Sequence, residues 1–214
     1  MPVLGFLHTA EVHVETFDAL VQYAAPDVDV VHLVAPDLLN AARQTSPTEI
    51  TVVDAVREAL DALSGQEPDV IVCTCSTIGV AAEMAAADVE AEVVRIDRPL
   101  ARHVVTTCAR VALVTAVEST LEPTMQVFDE EREDRASDAE LVPVVAEGAW
   151  ERFEAGDVDG YLDAIATAVD ALEPGFDAVV LAQASMAGAR DRVAKPERVH
   201  STPVPVVEAA LDLL

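Results

Sequence analysis

One pattern that occurs twice decides the fold of this chain: PDVIVCTCSTIGVA over residues 68–81 and FDAVVLAQASMAGA over residues 176–189. Each copy contains an acidic residue, an apolar run with the length of a buried strand, and a small polar turn that opens an alanine-rich helical pattern. The acidic residues Asp69 and Asp177 lie 177 − 69 = 108 positions apart. Each copy therefore predicts a strand that leads directly into a helix.

The same offset recurs in other parts of the chain. The apolar run VLGFLHT begins at Val3 and the run VALVTAV begins at Val111, which is 111 − 3 = 108 positions later. The helical patterns VDAVREALDAL from Val53 and YLDAIATAVDAL from Tyr161 lie at nearly the same offset. Three elements at one offset predict an internal duplication of about half the chain.

Short apolar runs alternate with amphipathic helical patterns along the chain. The runs lie at residues 3–7, 28–34, 70–73, 93–96, 111–115, 141–145 and 178–181, with a shorter one near Val199. Such alternation is typical of βαβ units, which build a parallel sheet with helices on its faces. We therefore predict the α/β class.

The duplication predicts two pseudo-symmetric flavodoxin-like lobes, each a parallel sheet flanked by helices. The first lobe is expected at residues 1–97, completed by a C-terminal helix at 205–214, and carries Cys75. The second lobe is expected at residues 98–204 and carries Gln183. Because open parallel sheets bind ligands beyond the carboxyl ends of their strands, we expect the active site in the cleft between the lobes.

The net charge excludes several classes of partner. The chain has 39 acidic and 13 basic residues, which gives a net charge of −26. A field of this sign repels phosphate backbones and anionic lipids, so we expect no nucleic-acid partner and no membrane partner. The acidic residues are spread among alanine and valine, which favours a folded, halophilic protein over a disordered one. Most carboxylates are then solvated surface groups.

No segment of the chain predicts export or membrane insertion. The chain lacks an apolar run of the roughly 18 residues that a membrane span needs, and it lacks a signal-peptide pattern. We therefore expect a cytoplasmic protein. The oligomeric state stays open, and a homo-oligomer is compatible with the sequence.

The three cysteines do not form a disulfide scaffold, because Cys73, Cys75 and Cys108 cannot all pair. C-x-C without a second pair of ligands is a weak zinc signal, so no metal is expected. Cys73 lies inside a predicted strand and Cys108 on a helix predicted at residues 101–109. We interpret both as small buried residues.

Cys75 stands where the predicted strand at residues 70–73 ends and the next helix begins. A helix N-terminus stabilises a thiolate, which is the form that abstracts protons or attacks as a nucleophile. The alternative is a small buried residue without a chemical role. Position alone leaves both interpretations open.

The CST turn at residues 75–77, its duplicated partner and the opening GFLHT at residues 5–9 resemble the aspartate/glutamate/hydantoin racemase superfamily over essentially the whole chain. The resemblance implies two pseudo-symmetric lobes, one cysteine per lobe on either side of the substrate, and catalysis without a cofactor. Residues 75–77 match the first cysteine motif. The second motif falls on residues 181–183, so that Gln183 stands where the second cysteine is expected.

This departure affects the reaction that the resemblance implies. Glutamine has no proton to exchange at accessible pH, so two-cysteine racemisation is not expected. The sequence QASM at residues 183–186 resembles a branch of the superfamily with Gln-x-Ser-Met at this place. Single-cysteine relatives include arylmalonate decarboxylase. The resemblance therefore implies Cys-mediated proton transfer at the carbon alpha to a carboxylate, as a racemase or epimerase or as a one-base isomerase or decarboxylase. The alternative is a non-catalytic carboxylate-binding or regulatory protein.

Oxyanion stabilisation requires hydrogen-bond donors that meet both oxygens of an enediolate. The catalytic candidates are Cys75, Gln183 and His8. The candidates for binding a small carboxylate substrate are Thr74, Ser76, Thr77, Thr115, Ser119, Thr120 and Ser185. For Ser76 and Ser119 helix N-capping is the alternative interpretation, because both lie at strand-to-helix turns.

Other polar residues have weaker arguments. His8 ends the first predicted strand, where it is placed to orient or protonate a substrate, although a structural role is the alternative. We interpret His32 as ordinary strand filling. Arg98 and Arg102 are candidates to hold a carboxylate, with surface ion pairing as the favoured role. The charged stretch at residues 129–138 is expected to be a solvated helix end or loop.

Overall fold

The computed structural model describes all 214 residues, and the chain forms two compact units. The first unit comprises Met1–Ile96 together with Pro203–Leu214, and the second comprises Asp97–Thr202. Each unit contains one four-stranded parallel sheet with helices packed on it. The predicted α/β class, with two lobes of this kind, is confirmed.

The first unit is built around strands β1 to β4. In chain order it contains β1 (Val3–His8), α1 (Val12–Ala24), β2 (Asp29–Val34), α2 (Pro36–Gln44), α3 (Ile50–Ser64), β3 (Val70–Cys73), α4 (Ser76–Ala85), a 3-10 turn (Ala86–Asp88) and β4 (Glu92–Arg95). The sheet has the strand order β2-β1-β3-β4, and every neighbouring pair is parallel.

The second unit is built around strands β5 to β8. It contains α5 (Arg98–Thr107), β5 (Arg110–Thr115), α6 (Glu118–Asp134), β6 (Glu140–Val145), α7 (Ala149–Glu154), α8 (Val158–Asp170), β7 (Ala178–Leu181), 3-10 segments (Ala184–Arg192 and Pro196–Arg198) and β8 (Val199–Ser201). Its strand order is β6-β5-β7-β8, again all parallel. The last helix, α9 (Pro203–Leu211), belongs to the first unit.

The two units repeat one topology. Strands β3 and β7 begin 178 − 70 = 108 residues apart, and helices α3 and α8 begin 158 − 50 = 108 residues apart. The duplicated acidic residues also have equivalent roles. Asp69 accepts a hydrogen bond from the Val3 amide at 2.9 Å, and Asp177 accepts one from the Arg110 amide at 3.0 Å. Each carboxylate thus holds the starts of two neighbouring strands together.

The strands are apolar on both faces because helices cover both. In β5, Ala112 and Val114 pack in one cluster with residues of α8, whereas Val111 and Leu113 pack in another with residues of α5 and α6. Successive strand residues point to opposite faces, so a strand covered on both sides needs a continuous apolar run. This explains the uninterrupted runs in the sequence.

Two predicted helix boundaries are wrong. Helix α9 begins at Pro203, two residues before the expected start at 205, because proline is tolerated in a first turn that lacks intrahelical N–H partners. Helix α5 ends at Thr107, so Cys108 follows the helix with extended backbone angles and is only partly buried. The hydroxyls of Thr106 and Thr107 both donate to the His103 carbonyl, at 2.8 and 2.9 Å, which competes with continuation of the helix.

The charged stretch at residues 129–138 was expected to be solvated, but part of it is buried. Helix α6 extends into it, and Glu131 is only 2% exposed. Its carboxylate lies within 3.3 to 3.4 Å of guanidinium nitrogens of Arg98, Arg102 and Arg135. Arg98 and Arg102 therefore form ion pairs, as expected, but their shared partner is a buried carboxylate of their own unit, and only the pair of Arg98 with Glu130, at 2.8 Å, lies at the surface.

None of the helices combines the length and the apolar content that crossing a lipid bilayer would require.

Candidate active site

The register of two strands brings the first group of candidate residues together. Strands β1 and β3 are parallel neighbours, with Leu7 opposite Cys73. The Thr74 amide donates to the Leu7 carbonyl at 3.0 Å, so the pairing continues one residue beyond the end of β3. His8 and Thr74 therefore lie side by side at the carboxyl edge of the first sheet.

Cys75 is the N-cap residue of α4. Its backbone is extended, with φ −113° and ψ 113°, and its side chain makes no capping hydrogen bond. Cys75 is partly buried, whereas Ser76 and Thr77 in the first helical turn are buried. The first amides of a helix have no acceptor within the helix, so the segment offers positive charge to an anion. Because Cys75 holds the cap position, the N-cap interpretation of Ser76 is wrong.

An arginine packs beneath the helix that follows Cys75. Arg95, at the end of β4, is 1% exposed, and its guanidinium reaches Glu83 Oε2 at 3.3 Å and the Ser76 carbonyl at 3.5 Å. A Cβ at Gly79 would lie 2.9 Å from Arg95 Nε, so glycine leaves room for this contact. The buried cation lies against the helix that presents Cys75, and the sequence offers no signal for it beyond the glycine.

His8 belongs to a chain of hydrogen bonds. Its Nδ1 lies 2.8 Å from Thr74 Oγ1 and its Nε2 lies 2.8 Å from His32 Nδ1. Burial lowers the pKa of His8 to about 3, with further lowering by the positive charges of His32 and His13. The interpretation of His32 as strand filling is wrong, because its Nε2 also lies 3.0 Å from Asp18 Oδ1.

A second group of candidate residues lies at the carboxyl edge of the second sheet. Gln183 precedes the 3-10 segment after β7, and its Oε1 accepts a hydrogen bond from the Ala116 amide at 2.7 Å. Ser185 Oγ lies 2.8 Å from the hydroxyl of Tyr161. Burial raises the pKa of Tyr161 to about 12, so this phenol is neutral at physiological pH. No motif in the sequence points to Tyr161, because this residue lies in the apolar stripe of α8.

The end of β5 contributes three hydroxyl residues. Thr115 ends the strand, and Ser119 and Thr120 lie in the first turn of α6. Val117 is the N-cap of α6, so the N-cap interpretation of Ser119 is wrong. The hydroxyl oxygens of Thr115 and Ser119 are buried and have no hydrogen-bond partner. A buried hydroxyl without a partner is costly, so these two groups are suited to a polar ligand.

The candidate residues thus form two clusters. The first cluster, in the first unit, consists of His8, Thr74, Cys75, Ser76 and Thr77. The second cluster, in the second unit, consists of Thr115, Ser119, Thr120, Gln183 and Ser185. In both, the residues lie at or just after the carboxyl ends of the two central strands of a parallel sheet, which is where this class of fold binds ligands.

Comparison of sequences finds no matching family model and no similar curated protein. Comparison of structures finds many similar folds. The chain is similar to the aspartate racemase of Picrophilus torridus, with a TM-score of 0.75 and 14% identity over 98% of this chain and 94% of that one. It is also similar to the glutamate racemase of Francisella tularensis in complex with D-glutamate, with a TM-score of 0.71 and 15% identity over 100% of this chain and 80% of that one.

A variant of arylmalonate decarboxylase, in a form associated with a sulfate ion, has the same fold. Its TM-score is 0.64 and its identity is 17%, over 99% of this chain and 93% of that one. These likenesses confirm the fold that the sequence predicted.

Proposed function

Because the chain has the fold of the aspartate/glutamate racemase superfamily, we propose that it is an enzyme that transfers a proton, without a cofactor, at the carbon alpha to the carboxylate of a small acid. The observation that carries this proposal is Cys75, a partly buried thiol at the N-terminus of α4 and at the carboxyl edge of β3. A helix N-terminus favours the thiolate, which removes an α-proton as a general base.

Removal of an α-proton next to a carboxylate produces an enediolate, and donors must stabilise its oxygens. We assign this role first to Thr115 and Ser119, whose buried hydroxyls have no partner within the protein. The hydroxyls of Thr74 and Ser185 already take part in hydrogen bonds, with His8 and Tyr161 respectively. Thr120 and the first turn of α4 are the further donors in this proposal.

Gln183 affects the stereochemistry that we expect for the proton transfer. Its side-chain amide does not act as an acid or a base at physiological pH. Its Oε1 accepts a hydrogen bond from the Ala116 amide at 2.7 Å. Only one thiol is then available as acid or base. The proposal therefore favours decarboxylation or one-sided isomerisation over free equilibration of two enantiomers. Aspartate, glutamate and arylmalonates are the first substrates to test, because similar folds carry those activities.

Exchange of the α-proton tests the proposal directly. Candidate acids are incubated with the protein in heavy water, and loss of the α-proton signal is followed by NMR. We expect exchange, or deuterated product from a malonate, in the wild type and at least a hundredfold less in Cys75→Ala. Cys108→Ser is the matched control, because Cys108 is partly buried and lies outside both clusters. Equal activity in Cys75→Ala and the wild type would contradict the assignment.

A second candidate function is binding of a carboxylate without turnover, and the observation that favours it is Gln183 in place of a proton carrier. The same samples separate the two functions. Saturable binding of an acid, measured by calorimetry, with no exchange in the wild type indicates a binding protein. Thr115→Val is expected to weaken binding in either case, because it removes one of the two unpartnered hydroxyls.

A further inference from the structure

Four polar side chains connect the surface of the first unit with the residue before Cys75. Asp18 Oδ1 lies 3.0 Å from His32 Nε2, His32 Nδ1 lies 2.8 Å from His8 Nε2, and His8 Nδ1 lies 2.8 Å from Thr74 Oγ1. The Asp18 side chain is 54% exposed, whereas His8 is fully buried. The chain of hydrogen bonds therefore runs from solvent to the carboxyl edge of the sheet.

The number of protons available determines which atom donates and which accepts in each of these hydrogen bonds. The Thr74 hydroxyl has one proton and donates it to the Leu7 carbonyl at 3.1 Å. Its oxygen then accepts from His8 Nδ1–H, and His8 Nε2 accepts from His32 Nδ1–H. Because the Asp18 carboxylate is only an acceptor, His32 Nε2 also carries a proton. In this arrangement His32 is an imidazolium paired with Asp18.

A second arrangement has one proton fewer. If the Thr74 hydroxyl turns to donate to His8 Nδ1, then His8 Nε2–H donates to His32 and neutral His32 donates to Asp18. The turn has a low cost, because the Leu7 carbonyl also accepts from the Thr74 amide at 3.0 Å and keeps that partner. The same four side chains thus satisfy their hydrogen bonds with or without the extra proton.

We propose that Asp18, His32 and His8 form a store for one proton, which the Thr74 hydroxyl exchanges with the reacting substrate. This inference rests on the proposed function, and because the store lies in the same unit as Cys75 it does not replace the second thiol that Gln183 lacks. Thr74 is the group that meets the substrate. Asp18 and His32 are positioning residues that act through His8.

The transfer balances without an oxidant or a reductant. The Thr74 Oγ1–H bond breaks and its proton forms a bond with the basic atom of the enediolate. Thr74 Oγ1 takes the proton of His8 Nδ1, and His8 Nε2 takes the proton of His32 Nδ1. His32 is left neutral and still donates to Asp18. The reverse sequence stores a proton.

The surroundings disfavour a second proton on His8. The rings of Phe6 and Phe17 lie 5.8 and 5.7 Å from the His8 ring between centroids, and His13 on α1 lies 6.1 Å away. Burial and the charges of His32 and His13 lower the pKa of His8, so the extra proton does not reside on His8. His32 faces the carboxylate of Asp18 from α1 and has 15% exposure. The ring nitrogens bond to one another in series, and no three such groups converge as metal ligands do.

NMR of the histidine side chains tests the store independently of activity. Across a pH titration of the wild type, we expect the arrangement with protons on both nitrogens of His32 and on Nδ1 of His8 to give way to one with protons on Nε2 of both rings. In Asp18→Asn, we expect neutral His32 and a shift of the His8 proton to Nε2. Glu15→Gln, a change of an exposed carboxylate on the same helix, is the control and leaves both rings unchanged. A His8 proton that stays on the same nitrogen throughout the titration, or identical spectra in Asp18→Asn, would overturn the proposal.

Exchange kinetics then test whether the store serves the reaction. Asp18→Asn is expected to lower the rate of α-proton exchange about tenfold and to alter its pH profile, with KM changed less than twofold, and Asp18→Glu is expected to restore most of the rate. An unchanged rate and pH profile in Asp18→Asn would overturn the role in catalysis. If the wild type exchanges the α-proton of no acid tested, the proposed function fails. The NMR result still shows how His8 and His32 are protonated.

Discussion

Cys75 and Gln183 are equivalent residues of the two units. They lie 183 − 75 = 108 positions apart, each follows a central strand by two residues, and each precedes a helical segment. Their backbone angles are similar, with φ −113° and ψ 113° at Cys75 and φ −118° and ψ 139° at Gln183. The two units therefore share their backbone conformation at this position, while the two side chains differ in chemistry.

We predict that Gln183→Cys introduces racemisation on any acid for which the wild type exchanges the α-proton from one enantiomer only. A thiol at this position is a second proton carrier, whereas glutamine is not. Each enantiomer is supplied separately and followed by chiral chromatography. Gln183→Ala is the control, because it also removes the acceptor of the Ala116 amide but adds no thiol. Equal exchange from both enantiomers in the wild type would contradict the one-base interpretation.

We predict that Gly79→Ala destabilises the protein by about 1–2 kcal/mol. In most helices this change stabilises by up to about 1 kcal/mol, but here the new Cβ would lie 2.9 Å from Arg95 Nε. Arg95 has little freedom to move, because Glu83 and the Ser76 carbonyl hold its guanidinium. Urea unfolding of Gly79→Ala and of Gly65→Ala, at a helix end without such a contact, gives the comparison. A gain in stability at Gly79 would show that Arg95 is not tightly held.

We predict that stability falls as the pH falls below about 6.5, and that His13 accounts for part of this loss. Burial lowers the pKa of His13 from 6.5 to about 4, so the unfolded chain binds a proton in this range that the folded protein does not. The contribution of His13 is complete above pH 6.5 and is lost as the pH falls through about 4. In His13→Leu, the loss between pH 6.5 and 4.5 should be smaller by about 2 kcal/mol. Exposed His103→Gln is the control, and equal losses in both variants would contradict the prediction.

We predict that salt stabilises the protein. The net charge is −26, and raising the ionic strength from 0.1 M to 1 M shortens the Debye length from about 10 Å to about 3 Å, which screens repulsion between surface carboxylates. The Tm should rise by at least about 5 °C between 0.1 and 2 M KCl, which corresponds to about 2 kcal/mol for a chain of this length. Sucrose at matched osmolality distinguishes screening from exclusion of solute. A Tm that is constant or lower in KCl would refute adaptation to salt.

The architecture and the position of Cys75 at a strand-to-helix turn are predictable from local sequence patterns. Continuous apolar runs followed by helical patterns are local signals, because burial on both faces of a parallel strand requires them. The 108-residue offset is also visible in the sequence, and the two sheets have equivalent strand orders. The start of a helix directly after Cys75 follows from the same local pattern.

The pairing of polar residues, in contrast, depends on how the elements pack against one another. His32 is 24 positions from His8, and the register that pairs Phe6 with His32 places both histidines on the face covered by α1. Glu131 and Arg95 are of residue types that usually lie on the surface, yet packing buries both and pairs them with opposite charges. A local pattern records which face of a strand or helix is apolar. It does not record the residues of another element that meet that face, because strand register and helix packing are set by the whole core.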